Sequence, residues 1–350
     1  PVQIAQDDAT RAERDAVQAE RERAAGAKKA AMLADAALTE RGEPRIYRGA
    51  HLEAISLPVG GIGAGLIQMN GRAEPAIWQI FNNYMNVRIP DSFLAIRAQA
   101  GEGLAVVRAL QTAVAGLFPP MADLAFEGRC PFGWYRFEDP ALPVRVELEA
   151  FSPFIPMNAR DSGIPCAVFN VTVTNPGAEA VEVGLIAAQQ NAVGCSGAQA
   201  VPGRVHAEYG GNVNAAVETD GYVALHMTRA VEGEAAAPPT GETCCGSVSG
   251  GPGDMTLAAL SQATVCTSWT DAEALAEAFA ANAIDGAVGA SGPSPAGETL
   301  NGALAASFTL APGASRTETF VIAWHFPGQA EGAWGGSGVM YANWYANSLE

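Results

Sequence analysis

Two period-two runs separated by a stiff loop constrain this chain more than any other stretch. Val144, Val146, Leu148 and Ala150 alternate with Arg145, Glu147 and Glu149; Phe169, Val171 and Val173 alternate with Asn170, Thr172 and Thr174. A period of two sends successive side chains to opposite faces of a strand, so each run has one face to bury. Asn175-Pro176-Gly177 supplies a turn, after which Val181, Val183 and Leu185 resume the alternation. Between the first two runs lie Pro153, Pro156 and Pro165, which stiffen the backbone around a polar centre, Asn158-Ala159-Arg160-Asp161-Ser162. A stiff polar loop at the end of a sheet is placed to present groups to a ligand or a neighbouring domain.

The same pattern recurs in Phe93–Arg97, Trp134–Phe137, Tyr222–Met227 and Leu304–Leu310, punctuated by Gly, Pro and Asn. Many short strands with turn signals predict a mainly β chain, an antiparallel two-sheet β-sandwich with one or two helices. Leu304 to Leu310, the turn Ala311-Pro312-Gly313-Ala314 and the alternation of Phe320, Ile322 and Trp324 predict a β-hairpin. The expected core is Phe169, Val171, Val173, Phe308, Phe320 and Ile322. A helix is predicted over Asp271 to Ala283, capped by Thr270 or Asp271, with Leu275 and Phe279 on one face. The Gly-, Pro- and Ser-rich stretches 228–253 and 286–300 read as long surface loops. Residues 1–44 form a separate unit: an Ala-rich, charged helical extension over 7–40, with Thr10 and Glu13 as its capping box. Residues 45–350 are the sandwich.

The net charge of −17 argues against nucleic acid, whose phosphates need clustered Lys and Arg. No apolar run approaches the length of a membrane span. The N-terminus is too polar for a signal peptide, and a start at Pro1 in place of Met leaves export open. The six cysteines, Cys244-Cys245 among them, have no metal-ligand spacing, so no metal is expected. Gly61, Gly63 and Gly65 give G-x-G-x-G with no helical pattern after it, which is not a dinucleotide fingerprint; close backbone packing is the better reading. Trp78 with Asn82 and Asn83 reads either as an aromatic and amides facing a sugar or as a core Trp with structural Asn. Glu147 and Glu149 share the polar side of a strand and read as a solvated face. His51, His206, His226 and His325 sit in unrelated contexts with no G-x-S-x-G partner.

The run FSPFIPMNARDSGIPCAVFNVTVTN, beginning at Phe151, resembles the N-terminal domain of glycoside hydrolase family 116, the non-lysosomal glucosylceramidases and bacterial β-glucosidases. LPVGGIGAGLIQMNGRAEPAIWQIFNN (57–83), FVIAWHFP (320–327) and MYANWYANSLE at the end agree in order and spacing. The resemblance implies a retaining enzyme acting on a β-glucoside or glucosylceramide-type substrate without metal or organic cofactor, with a Glu and an Asp in an (α/α)6 barrel that follows the sandwich. No carboxylate here matches those motifs, so the barrel is the expected partner and the chain alone is expected to be inactive. Arg72, Trp78, Asn82, Asn83, Arg160, Asp161 and His325 are the candidates for a substrate cleft or interdomain surface. Trp334, Val339, Met340, Tyr341, Trp344 and Tyr345 are the expected apolar docking patch. A free-standing carbohydrate-binding sandwich is the alternative; it needs an exposed platform from Trp78, Trp134 or Trp269. A scaffold with no ligand contact is a third.

Overall fold

The computed structural model describes residues 2–38, 40, 42–83, 85–201, 203–230, 253–284, 286, 289–327 and 339–350. It divides into two compact units, Pro1–Arg45 and Ile46–Glu350. In the first, helix α1 spans Val2–Ala34. The helix therefore begins ahead of Thr10, and the expected capping box lies within it. From Arg14 on, every α1 side chain is exposed, Val17, Met32 and Leu33 included, so Ala propensity and pairs such as Gln18 to Glu22 support it.

The second unit is mainly β. Its strands are β1 (Ile46–Tyr47), β2 (Ser56–Val59), β3 (Leu66–Asn70), β4 (Pro75–Gln79), β5 (Phe93–Ala100) and β6 (Val106–Ala109). Then come β7 (Asp123–Arg129), β8 (Phe132–Glu138), β9 (Arg145–Phe151), the single turn α2 (Ala159–Ser162), β10 (Cys166–Thr174) and β11 (Val181–Gln190). After these follow β12 (Asn212–Glu218), β13 (Val223–Arg229), β14 (Asp254–Ala259), β15 (Thr264–Trp269), helix α3 (Ala272–Ala280), β16 (Ala290–Ser291), β17 (Asn301–Leu310) and β18 (Ser315–His325). A ten-stranded sheet runs β1-β7-β8-β9-β10-β18-β14-β13-β12-β16, a five-stranded sheet β15-β17-β11-β5-β6, and a small sheet β2-β3-β4. The named strand pairs are all antiparallel.

The two large sheets share one core. Phe169, Val171, Val173 and Phe320 from the ten-stranded sheet join Val183, Leu185 and Leu304 from the five-stranded one. A second cluster lies on the other face of the smaller sheet, where Leu275 and Phe279 of α3 meet Phe93, Phe118, Ile186 and Trp269. Asp271 caps α3 by accepting from the amides of Glu273 and Ala274. Covered on both sides, β11 loses its alternation after Glu182 and is buried to its end.

Three expectations are corrected. β17 and β18 are not a hairpin: β17 pairs with β11 and β15, β18 with β10 and β14, so residues 311–314 carry the chain from one sheet to the other. β10 and β11 are joined by the same kind of crossover through Asn175. Phe308 is only half-buried, packing against the core under the Arg316 guanidinium, 4.6 Å from its ring centre. The stretch 286–300 is not wholly a surface loop, since β16 pairs with β12 and Thr299 is buried. Residues 231–252, with Cys244-Cys245, and Trp334 lie outside the described residues.

The chain end is likewise not an open apolar patch. Tyr341 is buried in the turn Met340–Asn343; its hydroxyl accepts from the Phe326 amide (2.9 Å) and donates to the Phe326 carbonyl (3.0 Å). Trp344 and Tyr345 are half-buried, and Tyr222 donates to the Leu349 carbonyl. Burial of these aromatic faces and satisfaction of the polar atoms fold the tail back on the sandwich.

Candidate functional site

The β9–β10 connection, residues 152–165, is fixed by its own polar side chains. Ser162, buried, accepts from the Ile155 amide (2.8 Å) and donates to the Ile155 carbonyl (2.9 Å). Asn158 caps α2: its Oδ1 accepts from the Asp161 amide and its Nδ2 donates to the Asp161 carboxylate at 2.7 Å. Ser152 closes the loop's base on the Cys166 carbonyl. Asp161 is thus engaged by Asn158, while Arg160 is exposed with its guanidinium 5.9 Å from the ring centre of Tyr345.

With the polar atoms turned inward, the loop presents Phe154, Ile155 and a fully exposed Met157 to solvent. Met157 is in the left-handed region at φ 67°, a conformation held by the hydrogen bonds around it. Beside them Ile62 is exposed, and its amide donates to the Ser162 carbonyl at 2.7 Å. Ile62 belongs to the glycine loop joining β2 to β3. A Cβ on Gly61 would strike the Ile164 carbonyl oxygen, so the two loops touch backbone to backbone. The buried Trp324 indole anchors the glycine loop from below, donating to the Ala64 carbonyl at 2.7 Å. An apolar groove of about 680 Å³, walled by Leu57, Phe132 and Phe154 among others, continues from this tip.

The other candidates are spread out. Trp78 has no exposed surface and donates to the Pro75 carbonyl (3.0 Å), so it offers no face to a sugar. Asn83 donates to the carbonyls of Trp78 and Met85 and accepts from the Phe81 amide; Asn82, at φ 58°, donates to the Phe326 carbonyl. These amides are committed to backbone. Arg72 is exposed, with no ion-pair partner among the described residues. Trp269 is buried, and Trp134 is half-buried, stacked on Phe132 at 15° and donating to Glu149. The three tryptophans form no common platform.

His325 is buried in a junction that sequence reasoning missed. One oxygen of Asp254 accepts from the Ser348 amide (2.7 Å), the Ser348 hydroxyl and His226 Nε2 (3.3 Å); the other lies 3.9 Å from His325 Nδ1. Burial pushes the Asp254 pKa up, but the bonds from His226 and Ser348 outweigh it and hold the carboxyl below its ordinary value. The junction joins β13, β14, β18 and the tail, and no local spacing signals it.

The β9–β10 connection is thus an internally bonded loop that carries exposed apolar side chains on a mainly β sandwich, and the candidate residues among the described ones do not converge on one site. The model of the family described as "beta-glucosidase 2, glycosyl-hydrolase family 116 N-term" matches residues 56–350, and the chain belongs to that family. Among solved structures it is similar to a protein described as a kojibiose phosphorylase, from the human microbiome (8% identity, 80% of this chain and 25% of that one, TM-score 0.32). It is also similar to a polysaccharide lyase (10% identity, 82% and 33%, TM-score 0.34). The chain spans a quarter to a third of the length of these two proteins.

Proposed function

We propose that this chain is the N-terminal β-sandwich of a retaining β-glucosidase or glucosylceramidase-like hydrolase, which packs against an (α/α)6 catalytic domain and shapes the mouth of its cleft. Family membership supports the enzyme class. The observation that carries the docking role is the tip formed by Ile62, Phe154, Ile155 and Met157 on loops whose polar groups are internally satisfied. Preformed apolar side chains on a rigid support lose little entropy when a partner covers them. Arg160, on the β9–β10 loop itself, is then the candidate with a role at the boundary; Arg72 lies at the far end of β3, and Trp78, Asn82, Asn83 and His325 maintain the fold.

The test is Phe154→Asp with Met157→Asp in the enzyme containing its catalytic region, against Leu104→Asp, an exposed site elsewhere. Two charges placed in a buried interface lower kcat/KM on an aryl β-glucoside by about tenfold or more and weaken co-purification of the separated domains, while the sandwich melts unchanged. Wild-type activity and association in the double variant would overturn the docking role. The 350-residue chain alone gives no turnover on the same substrate.

A further inference from the structure

We propose that one end of the five-stranded sheet holds a calcium ion, on the carboxylate of Asp91 and the side-chain amide oxygens of Gln190 and Asn301. In that sheet β11 runs between β5 and β17. Gln190, the last residue of β11, stands directly opposite Asn301, the first of β17. Opposed residues share a face, with Cβ atoms about 5 Å apart. On the other side of β11 the Gln190 amide donates to the Ser92 hydroxyl at 3.5 Å, which brings Asp91 alongside. Asp91 then reaches across, its Oδ2 accepting from Asn301 Nδ2 at 2.9 Å. One carboxylate and two amides are thus gathered from three adjacent segments.

The group is satisfied on its nitrogens and not on its oxygens. Asn301 spends its nitrogen on Asp91; Gln190 donates to the Tyr209 hydroxyl (3.0 Å) and the Gly203 carbonyl (3.3 Å). Both residues are buried, Gln190 with no exposed surface, and neither amide oxygen has a partner among the described residues. A buried acceptor without a donor is unfavourable, and buried polar atoms nearly always find a partner. A cation held by oxygen alone completes this set.

The donor set selects the ion. Carboxylate and amide oxygens suit a hard cation, and calcium takes six to eight of them in flexible geometry, whereas magnesium demands a near-ideal octahedron and gives up water reluctantly. Water fills the remaining places, since Asp91 and Ser92 also line an open cleft of about 340 Å³. Arg88 in that cleft is paired with Glu74 at 3.3 Å, which offsets its charge. With a single carboxylate the site belongs at the weak end of the calcium range, with a Kd on the order of 0.1–1 mM. The spacing of His, Cys and carboxylates gives no sign of it, because two of the three ligands are amides far apart in the chain. No residue of the β9–β10 loop takes part, so the site stands or falls separately from the docking role.

Trp269 supplies the reporter: it is buried and stands opposite Asn301 across β15 and β17, so a terbium ion in the calcium site is excited through its indole. The experiment titrates the 350-residue chain with terbium under tryptophan excitation, competes with calcium and magnesium at constant ionic strength, and records melting curves with and without calcium. We expect sensitised emission that calcium displaces about tenfold more effectively than magnesium, and a melting temperature raised by about 3 °C at ten times Kd. Asp91→Asn keeps a residue type that tolerates φ 57° and an oxygen for Asn301, but removes the charge. It weakens calcium binding about tenfold or more without lowering the melting temperature measured in the absence of calcium. Trp269→Phe cuts the emission several-fold and leaves the calcium-induced melting shift in place. Absence of both emission and melting shift would leave the two amide oxygens to water and overturn the site. Undiminished emission in Trp269→Phe, or wild-type calcium affinity in Asp91→Asn, would put the ion elsewhere and overturn it equally.

Discussion

Asn175 sits at the corner where both sheet crossovers meet, and it is completely buried. Its Nδ2 donates to the carbonyls of Glu179 (2.8 Å) and Leu310 (3.1 Å), its Oδ1 accepts from the Gly177 amide, and its backbone bonds Gly313 and Ala314. Asn175→Ala leaves the buried Leu310 carbonyl without its donor, while the Glu179 carbonyl and Gly177 amide lie at exposed residues, and we expect a loss of about 1–3 kcal/mol in denaturant melts. A loss under about 1 kcal/mol would mean that Pro176 and Gly177 hold the corner alone. Sequence marks Asn175 as a turn residue but hides its main work, because Leu310 lies far along the chain. Phe169, Val171, Phe320 and Ile322 were legible as core because a strand's period fixes its faces. Phe308 was not: it keeps the strand's period, and Leu310 beyond it is buried, but Phe308 itself is only half-buried beneath the Arg316 guanidinium. The choice between a sugar-facing and a core Trp78 was equally beyond the sequence, since both readings need the same residues.

At the scale of elements, alternation locates strands and says nothing of which sheet each joins. A hairpin and a sheet-crossing corner share the same turn chemistry, which is why β17 and β18 read as partners and are not. The glycine loop shows the opposite case, where composition alone implied close backbone approach and the structure has it. Gly65 is at φ 88°, and a Cβ there would stand 2.5 Å from the Gln79 carbonyl oxygen. Gly63, at φ 70°, has no atom within 4 Å of that position. Gly63→Ala therefore meets only left-handed strain, about 1–2 kcal/mol, while Gly65→Ala adds a backbone collision and costs more, about 3 kcal/mol or above. Equal losses in paired melting curves would remove the contact from the explanation.

For the molecule as a whole, the tail is tied to the sandwich through a titratable group, Asp254. Asp254 grips Ser348 of the tail, His226 and His325 face it, and Tyr341 packs edge-on against His325 at 5.6 Å. Because its pKa is held below the unfolded value of about 3.9, docking draws stability from the carboxylate at neutral pH. That contribution is complete above the unfolded value and disappears as pH falls through the folded one. Hydrogen–deuterium exchange of residues 339–350, compared at each pH with Asp254→Asn to cancel the intrinsic rate, reads this directly. Protection beyond that of the variant is expected from about pH 5 to 7 and falls away only at a pH below the unfolded carboxylate value of about 3.9. A tail protected equally in both proteins across that range would show that burial of Tyr341, and not the Asp254 carboxylate, holds the chain end.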